Sequence, residues 1–283
     1  MEILWDWVQT KVFNEVTIPG SRLHTCHLRL VCLQISQHRR VFQLQSKGQR
    51  NPWSLVSLSL THHRMETSCD LLTMERCFTF CGHNLTITQR TGKDLLVSAL
   101  VWDAGIVLCH YFEEENLQFH GKRVIELGSG TGIVGILAVL LGGNVTLTDR
   151  PSVLKQMQHN VSVNIPSELA ARATISPFSW GIDERDYPSD YDIVLGSDIV
   201  YNRSTFPTLL NTLKYLSNAE TVTYLSSEMR KDLRAAQFYL EVLPQHFNCN
   251  LVYRNKEKNI NVYRVTRKPP AHMGGTCTDK SDL

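Results

Sequence analysis

The sequence predicts an α/β fold whose core is a seven-strand, mostly parallel sheet with one antiparallel strand, preceded by an N-terminal β-hairpin. Two observations predict this architecture. From residue 123 onward, short runs rich in β-branched residues alternate with apolar helical runs, and short connections join them. Such alternation is typical of a parallel sheet that helices cover on both faces. The last two strand-like runs follow each other without a helix, so one of them should run antiparallel.

The elements can be placed in chain order. Residues 77–80 and 85–88 flank a turn-forming segment that reads CGHN, and this pattern predicts the β-hairpin. The predicted helices comprise residues 101–112, 133–141, 152–164, 206–216 and 233–243. The predicted strands of the sheet comprise residues 123–127, 144–148, 174–178, 191–195, 221–226, 247–253 and 259–265.

These elements define one predicted domain at residues 74–268. Residues 1–73 contain short apolar pieces without a sustained strand or helix period, so we assign them no function and expect little stable structure. They are either an appended region or a segment that arises from an alternative start, and we favour the second explanation. The tail at residues 269–283 is predicted to be disordered.

The composition argues against several classes of function. A formal net charge of +2 and a pI of about 8.1 do not indicate a nucleic-acid-binding surface. The longest apolar run, residues 133–141, is about half as long as a bilayer span, and residues 1–20 lack the pattern of a signal peptide. The eight cysteines form no CxxC pair, which favours reduced thiols over a metal site or disulfides. We therefore expect a soluble cytoplasmic protein that binds no metal, nucleic acid or membrane.

The strongest signal is a glycine-rich loop after the first strand of the sheet. Residues 124–132 read VIELGSGTG, so a β-branched strand leads through Gly128, Ser129, Gly130 and Gly132 into an apolar helix. Glycines allow a sharp turn and a close approach of the backbone to a ligand at the helix N-terminus. This segment predicts a binding site for a cofactor that contains a nucleoside.

Two cofactors fit this loop. Counted from Gly130, the segment also matches the GxGxxG pattern of dinucleotide-binding folds. Glu126, at the end of the strand, favours S-adenosylmethionine instead, because that cofactor carries an ammonium group and no pyrophosphate. Asp149 ends the next strand, where a carboxylate can accept hydrogen bonds from both ribose hydroxyls. Asp149 therefore supports an adenosine ligand without separating the two cofactors, and it is also suited to capping the following helix.

Four further segments accompany the loop. They read VWDA at residues 101–104, TD at 148–149, SWG at 179–181 and SDIVY at 197–201. Together with the loop, they resemble the family 21 protein-lysine methyltransferases, which have a seven-strand Rossmann-like methyltransferase fold. The resemblance covers residues 77–268. Three stretches are most similar to the branch of that family that acts on elongation factor 1-alpha, namely residues 80–89, 180–183 and 243–247.

The resemblance implies further site residues. Trp102 and Trp180 stand at positions that contact the cofactor, and the backbone of Ser197 meets it, although the family often has alanine there. Asp198 and Tyr201 match a D-x-x-Y motif that faces the target amine. The resemblance therefore implies an enzyme that transfers methyl from S-adenosylmethionine to a lysine of elongation factor 1-alpha, and we expect it to be a monomer.

The reaction requires a neutral amine that is held in line with the methyl donor. Lysine is mostly protonated near neutral pH, and an apolar slot lowers its pKa. We therefore expect Asp198 to orient the ammonium as it arrives and Tyr201 to pack against the alkyl stem or the cationic centre. Three alternatives stay open: a catalytically silent cofactor-binding scaffold, a nicotinamide oxidoreductase, and a methyltransferase that acts on another protein, an RNA or a small molecule.

Overall fold

The computed structural model describes residues 28–36, 39–46, 72–91, 96–230, 232 and 235–269. The chain forms two units, which comprise Met1–Ser68 and Cys69–Leu283. In the first unit, strands β1 (Leu28–Ser36) and β2 (Arg39–Ser46) pair as an antiparallel hairpin that the sequence did not predict. Most residues of the segment at 1–73, and nearly all of the tail at 269–283, lie outside the described residues. The predictions for both segments, and the domain boundaries, therefore stay predictions.

The second unit is built on the seven-strand sheet that the sequence predicts. Its strands are β5 (Arg123–Leu127), β6 (Asn144–Asp149), β7 (Ala173–Pro177), β8 (Ile193–Ser197), β9 (Val222–Glu228), β10 (Phe247–Asn255) and β11 (Ile260–Arg267). The order across the sheet is β10-β11-β9-β8-β5-β6-β7. Neighbours from β9 to β7 pair in parallel, whereas β11 pairs antiparallel with both β9 and β10. The predicted fold class is confirmed.

Helices cover both faces of this sheet. They are α1 (Asp103–Glu114), α2 (Ile133–Leu140), α3 (Leu154–Asn164), α4 (Phe206–Leu216) and α5 (Ala235–Gln237), the last of which continues as a π-helical turn over Phe238–Val242. Val124 packs into the core beside α1, α2 and α3, and Ile125 packs into the core beside α4 and α5. β5 is therefore buried on both faces, and its apolar residues Val124, Ile125 and Leu127 supply that burial. In the described ranges, no helix is long and apolar enough to cross a membrane.

The last helix differs from its prediction at residues 233–243. Its described part begins at Ala235, and its second half widens into the π-helical turn directly before the short 3₁₀ turn Leu243–Gln245. Pro244 lies in that turn and has no N–H to donate to a preceding carbonyl. A regular α-helix cannot continue through this position.

The predicted hairpin precedes the sheet as strands β3 (Leu72–Phe80) and β4 (His83–Thr91). Three side-chain amides of α3 bind the edge of β4 that β3 leaves uncovered. Gln156, Asn160 and Asn164 are spaced by four residues, so they lie on one face of α3. Their carbonyl oxygens accept N–H groups from alternate residues of β4 at 2.8, 2.9 and 2.7 Å. The Asn160 amide also donates to the carbonyl of Thr131 at 2.9 Å, which connects the hairpin to the glycine-rich loop.

Candidate active site

The glycine-rich loop connects β5 to α2 at the carboxyl edge of the sheet. Gly128, Gly130 and Gly132 have φ values of +63°, +55° and +84°, a left-handed region that glycine adopts without the steric cost of a side chain. A Cβ on Gly128 would lie 2.9 Å from Cγ2 of Ile199, and a Cβ on Gly130 would lie 3.2 Å from the carbonyl oxygen of Ser98. Both the conformation of the loop and its close surroundings therefore require glycine.

Asp149 binds this loop from the end of β6. Its Oδ2 accepts the N–H of Gly130 at 2.8 Å, and its Oδ1 accepts the N–H of Arg150 at 2.7 Å. Burial raises the pKa of Asp149, while these two hydrogen bonds and the charge of Arg150 oppose the rise. An ionised carboxylate has about four acceptor sites, so Asp149 can still accept hydrogen bonds from the two hydroxyls of a ribose. Ser129 adds a second hydrogen bond between the loop and β6, because its Oγ accepts the N–H of Thr148 at 3.0 Å.

Glu126 lies behind the loop, where it is 1% exposed. Its Oε2 accepts the N–H of Gly135 at 3.0 Å, in the first turn of α2. A Cβ on Gly135 would lie 2.5 Å from that oxygen. Gly135, the last glycine of the GxGxxG match, therefore leaves room for this hydrogen bond. Burial raises the pKa of Glu126 to about 8; Asp149 adds to the rise, and hydrogen bonds from Ser129 and Gly135 oppose it. Glu126 thus caps a helix. Its predicted role toward a cofactor ammonium stays a prediction.

Trp180 and Ser197 follow or end two further strands of the sheet, β7 and β8. The Cζ2 atom of Trp180, which follows β7, lies 3.5 Å from the position of a Cβ on Gly128. Ser197 is the last residue of β8, and its Oγ lies 3.4 Å from the position of a Cβ on Gly105 in α1. The structure therefore brings Trp180 to the loop and places Ser197 at the carboxyl end of a central strand.

Asp198 follows β8 with a φ of 53°, a left-handed conformation that aspartate and asparagine tolerate better than most residues. Its side chain is 6% exposed and accepts two hydrogen bonds from Arg230, to Oδ2 from Nη2 at 2.7 Å and to Oδ1 from Nη1 at 3.2 Å. The N–H of Glu228 also donates to Oδ1 at 3.2 Å. Burial raises the pKa of Asp198, and Arg230 opposes the rise. The carboxylate that we expect to orient the target ammonium is therefore part of a buried ion pair.

Asp198, Glu228 and Arg230 form what we name the Asp198 cluster. Nη2 of Arg230 lies 2.8 Å from Oε2 of Glu228, whose side chain is 21% exposed. The guanidinium carbon of Arg230 lies 5.5 Å from the centre of the Trp102 ring, at cation–π distance. Trp102 precedes the first turn of α1. Through Arg230, the structure brings Trp102 and Asp198 together.

Tyr201 lies at the surface of this region and is 38% exposed. Burial raises the pKa of its hydroxyl; Arg150 opposes the rise, and Asp149 and Asp198 add to it. Tyr201 therefore interacts electrostatically both with the acid that binds the glycine-rich loop and with the Asp198 cluster.

Sequence reasoning missed Glu228 and Arg230. The predicted strand ended at residue 226, whereas β9 ends at Glu228. In open α/β sheets, residues at the carboxyl ends of strands line the ligand crevice. Glu228, the last residue of β9, and Arg230, two residues further on, carried that signal. Their pairing with Asp198 depends on the tertiary fold.

These residues fit S-adenosylmethionine. The glycine-rich loop offers a close backbone approach at the start of α2. Asp149 retains acceptor sites for a ribose, and Trp180 supplies an aromatic surface beside Gly128. The residues that would hold the cofactor are thus those at the ends of β5, β6, β7 and β8.

Comparison with known proteins identifies the family of this chain. The family model described as lysine methyltransferase matches residues 80–245. EEF1A lysine methyltransferase 3 from Xenopus tropicalis is 52% identical over 198 residues, which are 70% of this chain and 88% of the relative. The protein of that name from Mus musculus is 51% identical over 197 residues, 70% of this chain and 84% of the relative. Protein N-lysine methyltransferase METTL21A from Danio rerio is 44% identical over 191 residues, 67% of this chain and 86% of the relative. The chain belongs to the lysine methyltransferase family and is an S-adenosylmethionine-dependent enzyme.

Proposed function

We propose that this protein methylates a lysine side chain of elongation factor 1-alpha. Two relatives that are named for that substrate are 52% and 51% identical to this chain, and each alignment covers 70% of this chain. The observation that carries the proposal is the position of the Asp198 cluster, which lies beside Trp102 at the carboxyl edge of the sheet. This arrangement offers negative charge to an ammonium group next to the predicted cofactor site.

The chain's own residues hold the cofactor in this proposal. S-adenosylmethionine, when bound, supplies a methyl group that its positively charged sulfur already activates. Asp149 binds the ribose, and the glycine-rich loop approaches the cofactor through its backbone. The proposed cofactor-binding residues are Trp102, Glu126, Gly128, Ser129, Gly130, Gly132, Asp149, Trp180 and Ser197.

The target lysine enters beside Asp198 and Tyr201 in this proposal. Its ammonium has a reference pKa of about 10.4, so it arrives protonated. Asp198 orients this ammonium, and the partly exposed ring of Tyr201 packs against the lysine stem. Methyl transfer needs the neutral amine. The proton therefore leaves to water first, and neither residue has to act as a strong base.

Methyl transfer to purified elongation factor 1-alpha tests this substrate. The protein is incubated with labelled S-adenosylmethionine and the elongation factor, and mass spectrometry locates the label. We expect label on a lysine side chain, and none when Gly128→Arg replaces the wild type, because the new side chain fills the cofactor cradle. If the elongation factor stays unlabelled while another protein of a cell extract is labelled, the proposed substrate is rejected and the proposed chemistry is retained. Cofactor binding without transfer to any protein would instead support a silent scaffold.

We also propose that the protein is a cytoplasmic monomer. Cys77, Cys81, Cys109 and Cys249 are free thiols, which supports a reducing compartment. Cell fractionation and light scattering of the purified protein test these two points. Recovery in a secretory compartment, or a stable dimer at micromolar concentration, would contradict them.

A further inference from the structure

Arg230 restrains both oxygens of Asp198. The two side chains are 8% and 6% exposed, and the planar guanidinium donates to Oδ1 and Oδ2 at 3.2 and 2.7 Å. Such two-point pairing fixes the orientation of a carboxylate, which a lysine ammonium in place of the guanidinium could not do. The orientation of Asp198 is therefore set by Arg230.

Asp198 has little remaining capacity for hydrogen bonds. A carboxylate has about four acceptor sites. Two N–H groups of Arg230 and the N–H of Glu228 occupy three of them. About one site remains, and the position of the guanidinium decides where it points. A target ammonium can donate a hydrogen bond to Asp198 only at that site.

A second carboxylate and a guanidinium face Asp198. Glu228 shares the guanidinium of Arg230 with Asp198, at 2.8 and 2.7 Å. Asp103, which follows Trp102 and begins α1, forms a 3.0 Å ion pair with Lys258. Asp198 also interacts with Tyr201 and Tyr239, whose pKa values are raised, chiefly by burial. The carboxylate of Asp198 is the group of the cluster that we expect to meet an incoming ammonium.

We propose that Arg230 is a positioning residue for methyl transfer, which acts by fixing the carboxylate of Asp198 toward the target lysine. The inference deepens the proposed function, because it rests on the role of Asp198 toward that lysine. Arg230 also contacts Trp102, a proposed cofactor-binding residue. Its test must therefore separate an effect on the lysine from an effect on the cofactor.

The experiment compares Arg230→Lys, Asp198→Asn and the double variant. Initial rates of labelled methyl transfer into every protein of a eukaryotic cell extract are measured with each variant, and calorimetry measures S-adenosylmethionine affinity. The extract makes the result independent of the substrate's identity. Arg254→Lys is the matched control, because Arg254 is exposed on the edge strand β10. Thermal unfolding shows whether each variant is folded.

We expect Arg230→Lys to lower the transfer rate by about tenfold while cofactor affinity changes by less than about twofold. The double variant should be no slower than Asp198→Asn, since residues that act as one unit are not additive. A wild-type rate in Arg230→Lys would overturn the inference. Losses that multiply in the double variant, or a parallel loss of cofactor affinity, would also overturn it. Label on proteins other than elongation factor 1-alpha would reject only the proposed substrate.

Discussion

Asn160 donates a hydrogen bond to the carbonyl of Thr131 at 2.9 Å, and this contact joins α3 to the glycine-rich loop. The same side chain exchanges two hydrogen bonds with the backbone of Thr88 in β4, at 2.9 and 3.0 Å. Asn160 is completely buried. One amide therefore supports both the hairpin and the cofactor loop.

Replacement of this amide should destabilise the fold and weaken cofactor binding together. Asn160→Leu removes three hydrogen bonds and leaves buried backbone groups unsatisfied, which costs about 2–4 kcal/mol of unfolding free energy. Denaturant titration and calorimetry with S-adenosylmethionine measure the two effects. Ser162→Ala, at an exposed position of the same helix, should change neither. A stable Asn160→Leu protein would show that the hairpin does not depend on this contact.

Alanine at Gly128 should abolish detectable cofactor binding. The substitution combines a φ of +63° with a Cβ placed 2.9 Å from Ile199, so the loop must move. Gly82→Ala is the matched control, because Gly82 has a φ of +76° and no atom within 4 Å of an added Cβ. It should cost about 1 kcal/mol of stability and leave binding intact. Calorimetry that finds equal affinities in both variants would mean that the cofactor does not bind at this loop.

Glu126 should make stability depend on pH. Its pKa is about 8, above the ordinary value of 4.5, so between these values the folded protein holds a proton that the unfolded chain releases. By linkage, stability falls as the pH rises through that window. Glu126→Gln should match the wild type near pH 5 and exceed its stability by about 1–4 kcal/mol above pH 8. Melting curves across this range test the expectation, with the exposed Glu220→Gln as control. Parallel curves for wild type and Glu126→Gln would refute it.

A shortened chain that begins at Leu72 should fold and retain most of its activity. Strand β3 begins at this residue, and the hydrogen bonds between β4 and α3 are all retained. A chain that begins at residue 92 should fail to fold, because the loss of β4 exposes the amide face of α3. Circular dichroism and the transfer assay compare the two. An insoluble or inactive product from Leu72 onward would show that the preceding segment is required.

The sequence was sufficient to predict features that depend on residues close together along the chain. The strand before Gly128, the acid at the end of β6 and the hairpin turn at Cys81 and Gly82 are encoded within a few positions. Contacts across the fold were not predictable in this way. Arg230 lies 32 positions from Asp198, and no local pattern shows that their side chains pair. The burial of Glu126 likewise depends on how closely α2 approaches β5.

The most direct test of the account is methyl transfer to elongation factor 1-alpha by the wild type and by Asp198→Asn. Asparagine tolerates the φ of 53° and retains an oxygen for Arg230, but it removes the charge that orients the ammonium. We expect at least about a tenfold lower rate, or about 1.4 kcal/mol of transition-state stabilisation, with unchanged affinity for S-adenosylmethionine. Wild-type activity should rise toward pH 9 as more of the target amine becomes neutral. Full activity of Asp198→Asn, or a parallel loss of cofactor binding, would contradict the proposed role of Asp198.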